Sequence, residues 1–238
     1  MDIFNDIETI PGQKPGLKEA IAETISPPGN MKKAETIAHW EAYEKPVKIE
    51  EAYRKTALSG ATGEIICISW AFDNGAISNV IRGLDDSEAD MLNDFFKVLA
   101  ENTTQVGEPR RLRWIGHNVK DFDLRFMYQR AIILGVRPPV PLPHNARPGS
   151  PEVFDTMTEW AGFRNTVKLD TLCQALGIPG KDDSGMDGSQ VWDRVQAGEL
   201  AKVASYCDDD VDRVRQLFRR MNFIEADNQA DQILDMAI

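Results

Sequence analysis

The stretch Asp2 to Ile10, DIFNDIETI, constrains this chain more than any other. Strand alternation puts Ile3, Asn5 and Ile7 on one face and Phe4, Asp6 and Glu8 on the other, so two carboxylates stand side by side in a β-prone run. A folding core alone does not ask for that. Like charges on one strand face are unfavourable neighbours unless something positive lies between them, and a divalent cation is the usual candidate. Asp-x-Glu is expected about once by chance in so acidic a chain. It recurs at Asp86-Ser-Glu88, where the helical pattern that follows points to N-terminal capping instead. Strand context and two partners much later in the chain single out the first copy.

With 238 residues and 42% hydrophobic content, the chain can bury one sizeable core and is short for two full domains. The expectation is one domain over 1–238 with an insertion at about 14–58. No apolar run reaches the roughly 18 residues of a membrane span. The acidic N-terminus has no basic stretch ahead of an apolar one, so neither a signal peptide nor a membrane partner is expected. Cys67, Cys173 and Cys207 lie in apolar surroundings without metal-ligand spacing, as reduced thiols do in a reducing compartment, and the expected localisation is cytoplasmic. The net charge of −11 argues against tight nonspecific DNA binding, which relies on Lys and Arg releasing counterions. A transient grip on a few nucleotides, with metal ions and a local basic patch supplying positive charge, is compatible with it.

After the first strand, Leu17 to Thr24, Ala34 to Glu44 and Ile49 to Leu58 read as short amphipathic helices separated by SPPGN and EKPVK. This insertion is either a solvated flap capping the sheet or a mobile lid or clamp using Lys32, Lys33, His39 and Trp40. Glu64 to Phe72 and Ala76 to Ile81 are strands joined by a turn at Asp73-Asn74-Gly75, making an antiparallel meander with the first. Asp86 to Glu101 is a helix and Arg111 to Gly116 a strand, so the order becomes strand and helix alternation. The segment HNVKDFD, His117 to Asp123, opens a helix that stops at Gly135, and its carboxylates stand at the carboxyl end of a strand. Pro138 to Pro151 is a proline-rich loop, Val153 to Thr156 a short edge strand, Lys168 to Leu176 a helix, KDDSGMDGS a polar loop, and Gly198 to Phe223 a long last helix. His117 and His144 read as structural. Arg110, Arg111 and Arg113 read as a solvated strand edge, with contact to a ligand as the alternative.

On the last helix Leu200, Val203, Ala204, Cys207, Val211, Val214 and Phe218 form a stripe at 3.6 periodicity that must face the sheet. At about 100° per residue, Asp209 points nearly away from the stripe, while Tyr206 and Asp210 share one edge of it with Leu217. Of the three consecutive acids, Asp210 is therefore the candidate. Tyr43, Tyr53 and Tyr128 have no acid at the offset that Tyr206 has.

Asp6-x-Glu8 on the first strand, Asn118-x-x-x-Phe122-Asp123 after the fourth, and Tyr206-x-x-x-Asp210 on the last helix resemble the three motifs of DEDD-type 3′-5′ exonucleases. The variant is the tyrosine one, since Ser205 stands where the other variant carries histidine. FNDIET, GHNVKDFDLRFMYQRA and YCDDDV are similar to the proofreading domains of family B DNA polymerases, and most similar to their stand-alone predicted relatives. The resemblance covers nearly the whole chain outside Lys14 to Leu58.

The resemblance implies an α/β, RNase H-like fold: a five-stranded mixed sheet, three strands antiparallel and then β/α alternation, with helices on both faces and the acids at its centre. It implies two Mg²⁺ or Mn²⁺ ions, with Asp6 bridging both, Glu8 and Asp210 completing the first, and Asp123 reaching the second directly or through water. It implies that Tyr206 orients the attacking water, since a phenol of ordinary pKa near 10 is a poor base at neutral pH. Thr9, Asn118 and Phe122 are implied substrate contacts. The implied partner is the 3′ end of a single-stranded nucleic acid, DNA foremost with RNA left open, alongside a polymerase or a replication or repair complex. The alternatives are a catalytically silent RNase H-like scaffold in such an assembly, disfavoured by the complete set of acids, and an endonuclease or transposase, which has no reason to carry Tyr206.

Overall fold

The computed structural model describes residues 1–103, 111–162, 164–180 and 186–224. Arg110 and residues 181–185 of the polar loop lie outside the described residues. Strands β1 (Asp2–Ile10), β2 (Glu64–Phe72), β3 (Ser78–Ile81), β4 (Arg113–Gly116) and β5 (Val153–Asp155) form one mixed sheet in the order β3-β2-β1-β4-β5. Antiparallel pairing joins β1, β2 and β3, and parallel pairing joins β1 to β4 and β4 to β5. This is the mixed α/β sheet that the RNase H-like expectation describes.

β1 lies at the centre and is covered on both faces. Its odd positions Ile3 and Ile7 enter a core with Met91, Leu92, Phe95 and Leu99 of α4 (Glu88–Thr103) and with Phe126 and Met127 of α5 (Asp123–Leu134). Its even positions face the last helix, α9 (Leu200–Met221), where Phe4 packs with Val211, Val214 and Phe218, and Ile10 with Val203 and Cys207. α9 therefore runs antiparallel to β1, with an apolar cluster at each end of their contact. Asp6 and Glu8 fall between the clusters.

The chain between β1 and β2 folds into α1 (Leu17–Thr24), α2 (Ala34–His39), a π-helical turn over Trp40–Glu44, α3 (Lys45–Lys55) and a 3₁₀ turn at Thr56–Leu58. EKPVK is thus no separator, and the helix runs through it. Pro46 has no N–H to donate to Ala42, and the backbone meets that loss by widening into the π turn and restarting with Pro46 in the first turn of α3. The segment is tied down at its end. Tyr53 meets Trp192 of α8 (Val191–Gln196) edge to face, Arg54 pairs with Asp193, and Gly12 N–H donates to Thr56 Oγ1 at 3.1 Å. Trp40 is 0% exposed, so it is not available to a clamp surface, whereas Lys32 and Lys33 are exposed.

α8, with α6 (Thr156–Ala161), is absent from the elements expected above; α7 (Leu169–Ala175) matches its expected helix within one residue at each end. Each missed helix is six residues long, too short for periodicity to stand out. Among the described residues no helix is long and apolar enough to cross a membrane.

The register of β1 against β2 shifts within this frame: Glu8 pairs with Cys67 but Thr9 with Ile65, leaving Ile66 as a bulge. Buried charge pins it. Glu88 Oε1 accepts from Ile65 N–H at 2.8 Å and from Arg130 Nε at 2.9 Å, and Arg82 Nε donates to Ile65 O at 2.8 Å. Glu88 is therefore an ion-pair anchor, not the helix cap expected of the second Asp-x-Glu. Ser87 takes the capping role by accepting from Asp90 N–H at 3.1 Å, while Asp86 accepts from Gly83 N–H. Replacing Arg130 by Met leaves Glu88 buried and uncompensated, and is expected to lower the unfolding free energy by about 3–5 kcal/mol in urea titration; a loss under about 1 kcal/mol would mean that water reaches the pair.

Candidate active site

Asp6 and Glu8 come from the α9-facing side of β1, and Asp210 from α9 itself. The three offer carboxylate oxygens that lie within 4.8 Å of one another. Helical phase decides which acid of the run Asp208-Asp209-Asp210 arrives there: Asp210 is buried, Asp209 is exposed, and Asp208 accepts from Ser69 Oγ at 2.7 Å and Asn79 Nδ2 at 2.8 Å on the neighbouring strands. Tyr206, one turn before Asp210, packs on the cluster around Ile10 and Cys67. Its phenol is raised above its ordinary range by burial first, then by the charges of Glu8 and Asp6.

Asp123 reaches the site from the opposite side. β4 stops at Gly116 and pairs with β1 only as far as Phe4, so the β1 edge beyond it has no strand partner. Asp123 Oδ1 fills that edge by accepting from Ile7 N–H at 3.0 Å. The turn from β4 into α5 is built for this approach. A Cβ at Gly116 would stand 2.5 Å from Val119 Cβ, so only glycine fits, and Asn118 takes the left-handed region at φ 62°. Asp155, at the end of β5, clamps the turn by accepting from Asn118 N–H at 2.9 Å and Lys120 N–H at 3.3 Å, while also capping α6. His117 is fixed between Thr156 Oγ1 at 2.9 Å and Val167 O at 2.8 Å, the structural role expected of it. Burial lowers its pKa.

The electrostatics are those of like charges buried together. Asp6 is raised well above the carboxylate range by burial first, then by Asp123 and Glu8. Asp123 is pushed up to about 8, again by burial first, although Ile7 N–H pulls the other way. Three hard oxygen donors this close fit a divalent cation such as Mg²⁺ or Mn²⁺ and suit neither a soft metal nor a monovalent ion.

Thr9, Asn118 and Phe122 flank the acids in different ways. Thr9 Oγ1 donates to Ala57 O at 2.8 Å, so its proton is committed to the chain between β1 and β2. Phe122 is half-buried and meets Phe126 at 5.7 Å between centroids. Arg113 is far from the acids: it forks onto Asp2 at 2.8 and 2.7 Å, at the amino end of β1. Three further residues belong to the site and were not among the site residues expected from the sequence. Cys207 donates its thiol to Asp6 Oδ2 at 3.4 Å, Arg213 pairs with Asp210, and Asp155 holds the turn that carries Asp123. For Cys207, the available signal was its place in the stripe one residue after Tyr206.

The raised pKa values carry a pH dependence. A carboxyl whose folded pKa lies near 8, against an ordinary 3.8, binds more protons folded than unfolded across that interval, so its contribution to stability is complete below the lower value and is lost as pH rises through the upper. In EDTA the unfolding free energy is therefore expected to fall between about pH 4 and 8, and Asp123→Asn, which keeps the oxygen facing Ile7, should flatten that fall. Urea unfolding of both proteins at five pH values decides it; parallel slopes would mean that Asp123 is ionised throughout.

Against solved structures, the chain is similar to the family B DNA polymerase from the hyperthermophilic archaeon Pyrobaculum calidifontis, at TM-score 0.54 and 14% identity. The match covers 92% of this chain and 24% of that one, so the chain spans about a quarter of the polymerase. At that identity the likeness is one of fold. No curated protein matches the sequence. A family model described as a predicted 3′-5′ exonuclease related to the exonuclease domain of PolB matches residues 58–236, three quarters of the chain, beginning after the strand that carries Asp6 and Glu8. The chain belongs to that family of predicted exonucleases related to the PolB exonuclease domain.

Proposed function

We propose that this chain is a metal-dependent 3′-5′ exonuclease that removes nucleotides from the 3′ end of single-stranded DNA, working as one domain over residues 1–238 with the helical insertion at about 14–58. The observation that carries the proposal is the convergence of Asp6, Glu8 and Asp210 within 4.8 Å, beside Tyr206 and Asp123, in a chain of this family.

Asp6, Glu8 and Asp210 would hold one Mg²⁺ or Mn²⁺, and Asp6 with Asp123 a second. When bound, such a pair lowers the pKa of an attacking water and neutralises charge on the leaving 3′-oxygen. The chain's own groups do the rest. Tyr206 keeps its proton, because burial and two adjacent carboxylates disfavour the phenolate, so its hydroxyl orients the water and does not deprotonate it. Asp123 is held in place by the bond that its Oδ1 accepts from Ile7 N–H. Phe122, the residue before α5, and Asn118, in the turn that leads to it, would meet the terminal nucleotides by packing and by amide hydrogen bonds. A polymerase or a replication or repair complex is the fitting partner.

The test uses 5′-labelled single-stranded DNA and RNA with Mn²⁺, Mg²⁺ or EDTA. DNA is expected to shorten from the 3′ end only with metal; cleavage of circular single strands, or full activity in EDTA, overturns the proposal. A wild type that binds metal and cuts neither polymer is instead a silent scaffold. In the same assay Tyr206→Phe should slow the reaction about 10²-fold with metal binding retained. Asp210→Ala should abolish it and Asp209→Ala should change it little. Equal losses at the two aspartates would place Asp209 in the site and refute the phase derived above.

A further inference from the structure

Arg213 is the one arginine bonded to the acidic cluster among the described residues, and none of the roles above requires it. It sits on α9 three positions after Asp210, with its side chain 5% exposed. One terminal nitrogen donates to Asp210 Oδ1, and the other donates to Asp170 Oδ1 of α7 at 2.6 Å. Its Nε is buried without a partner. A guanidinium is costly to bury and leaves a donor unsatisfied here, whereas a core position at this helical phase is filled as well by Leu or Met.

We propose that Arg213 is a positioning residue of the site: its fork takes Oδ1 of Asp210, so that Oδ2 is the oxygen left to offer toward Asp6 and Glu8, and Asp170 anchors the fork from the far side. The proposal rests on the metal-binding role given to Asp210 above. Two consequences of a buried cation oppose each other. As a mere counter-ion, Arg213 would compete with a divalent ion for Asp210, and its loss would tighten metal binding. As a clamp, it pre-orients the ligand, and its loss weakens binding even though one positive charge has left the site. The anchor on Asp170 favours the clamp, because a guanidinium tethered at both ends cannot follow Asp210 into the cluster. A point charge cannot replace it, since an ammonium lacks the planar fork that spans two carboxylates.

The experiment is calorimetric titration of Mn²⁺ into the full-length wild type, Arg213→Met, Arg213→Lys and Asp170→Ala, with circular dichroism and melting in EDTA alongside. The dissociation constant for Mn²⁺ is expected to rise about 10- to 100-fold in Arg213→Met, with little rescue by Lys and a smaller rise in Asp170→Ala. Tighter binding in Arg213→Met makes the arginine a competitor, and an unchanged constant with a lowered melting temperature makes it a packing residue; either overturns the proposal. If Arg213→Met does not fold, Asp170→Ala decides, because it removes the oxygen that the fork binds and Asp170 is 55% exposed, so the core is spared: an unchanged constant there overturns the proposal as well. A wild type that takes up no Mn²⁺ removes the metal site itself, and the proposal falls with it.

Discussion

Asp6 stands on a strand covered on both faces, with Glu8 two residues along and Asp123 close enough to raise its pKa further. A carboxylate so placed either takes a proton or finds positive charge, and the surrounding structure is arranged around that constraint. Apolar contact is confined to the two ends of the β1–α9 crossing, Phe4 with Val211, Val214 and Phe218 at one end and Ile10 with Val203 and Cys207 at the other. Those clusters supply the stability that the acids between them withhold. Donors reach in from three directions: Ile7 N–H to Asp123, the Cys207 thiol to Asp6 and Arg213 to Asp210. They lower the repulsion without removing it, so Asp6 stays well above the carboxylate range.

The parts of this arrangement visible in the sequence are those set by local periodicity. β1, β2 and α1 have the bounds expected of them, because an alternating run closed by Pro11, or a helical face closed by SPPGN, leaves little choice of register. α5 stops at Gly135 in the left-handed region, as a C-terminal glycine signals. EKPVK misleads because Pro46 usually starts or ends a helix, and here a π turn absorbs it. Glu88 misleads for another reason. Its sequence position fits a cap, but Arg130, 42 residues away, takes it as a buried partner, and no local rule anticipates a contact at that separation.

The same division runs through the site. Asp6, Glu8, Asp123, Tyr206 and Asp210 fall in three short motifs whose spacing can be read along the chain. The residues that orient them cannot be read that way. Asp155 holds the turn before Asp123 only because β5 lies beside β4, and Cys207 meets Asp6 across 201 positions. Positioning groups depend on which elements become neighbours, and that information lies in the topology, not in any stretch of sequence.

The run Asp208-Asp209-Asp210 shows how much one helical rotation can separate. At about 100° per residue, the three carboxylates leave the helix in three directions, so identical side chains meet different surroundings. Asp208 ties α9 to β2 and β3 through Ser69 and Asn79, Asp209 lies on the exposed side of the helix, and Asp210 enters the acidic cluster. The tie made by Asp208 bears on the site directly, because it fixes the rotation and height of α9 against the sheet within one turn of both Tyr206 and Asp210. A slip of one residue would bring Asp209 toward the cluster and move Asp208 off Ser69 and Asn79. The phase of the helix is thus held by a polar pair on one side and by Arg213 on Asp170 on the other, and the position of Asp210 follows from both.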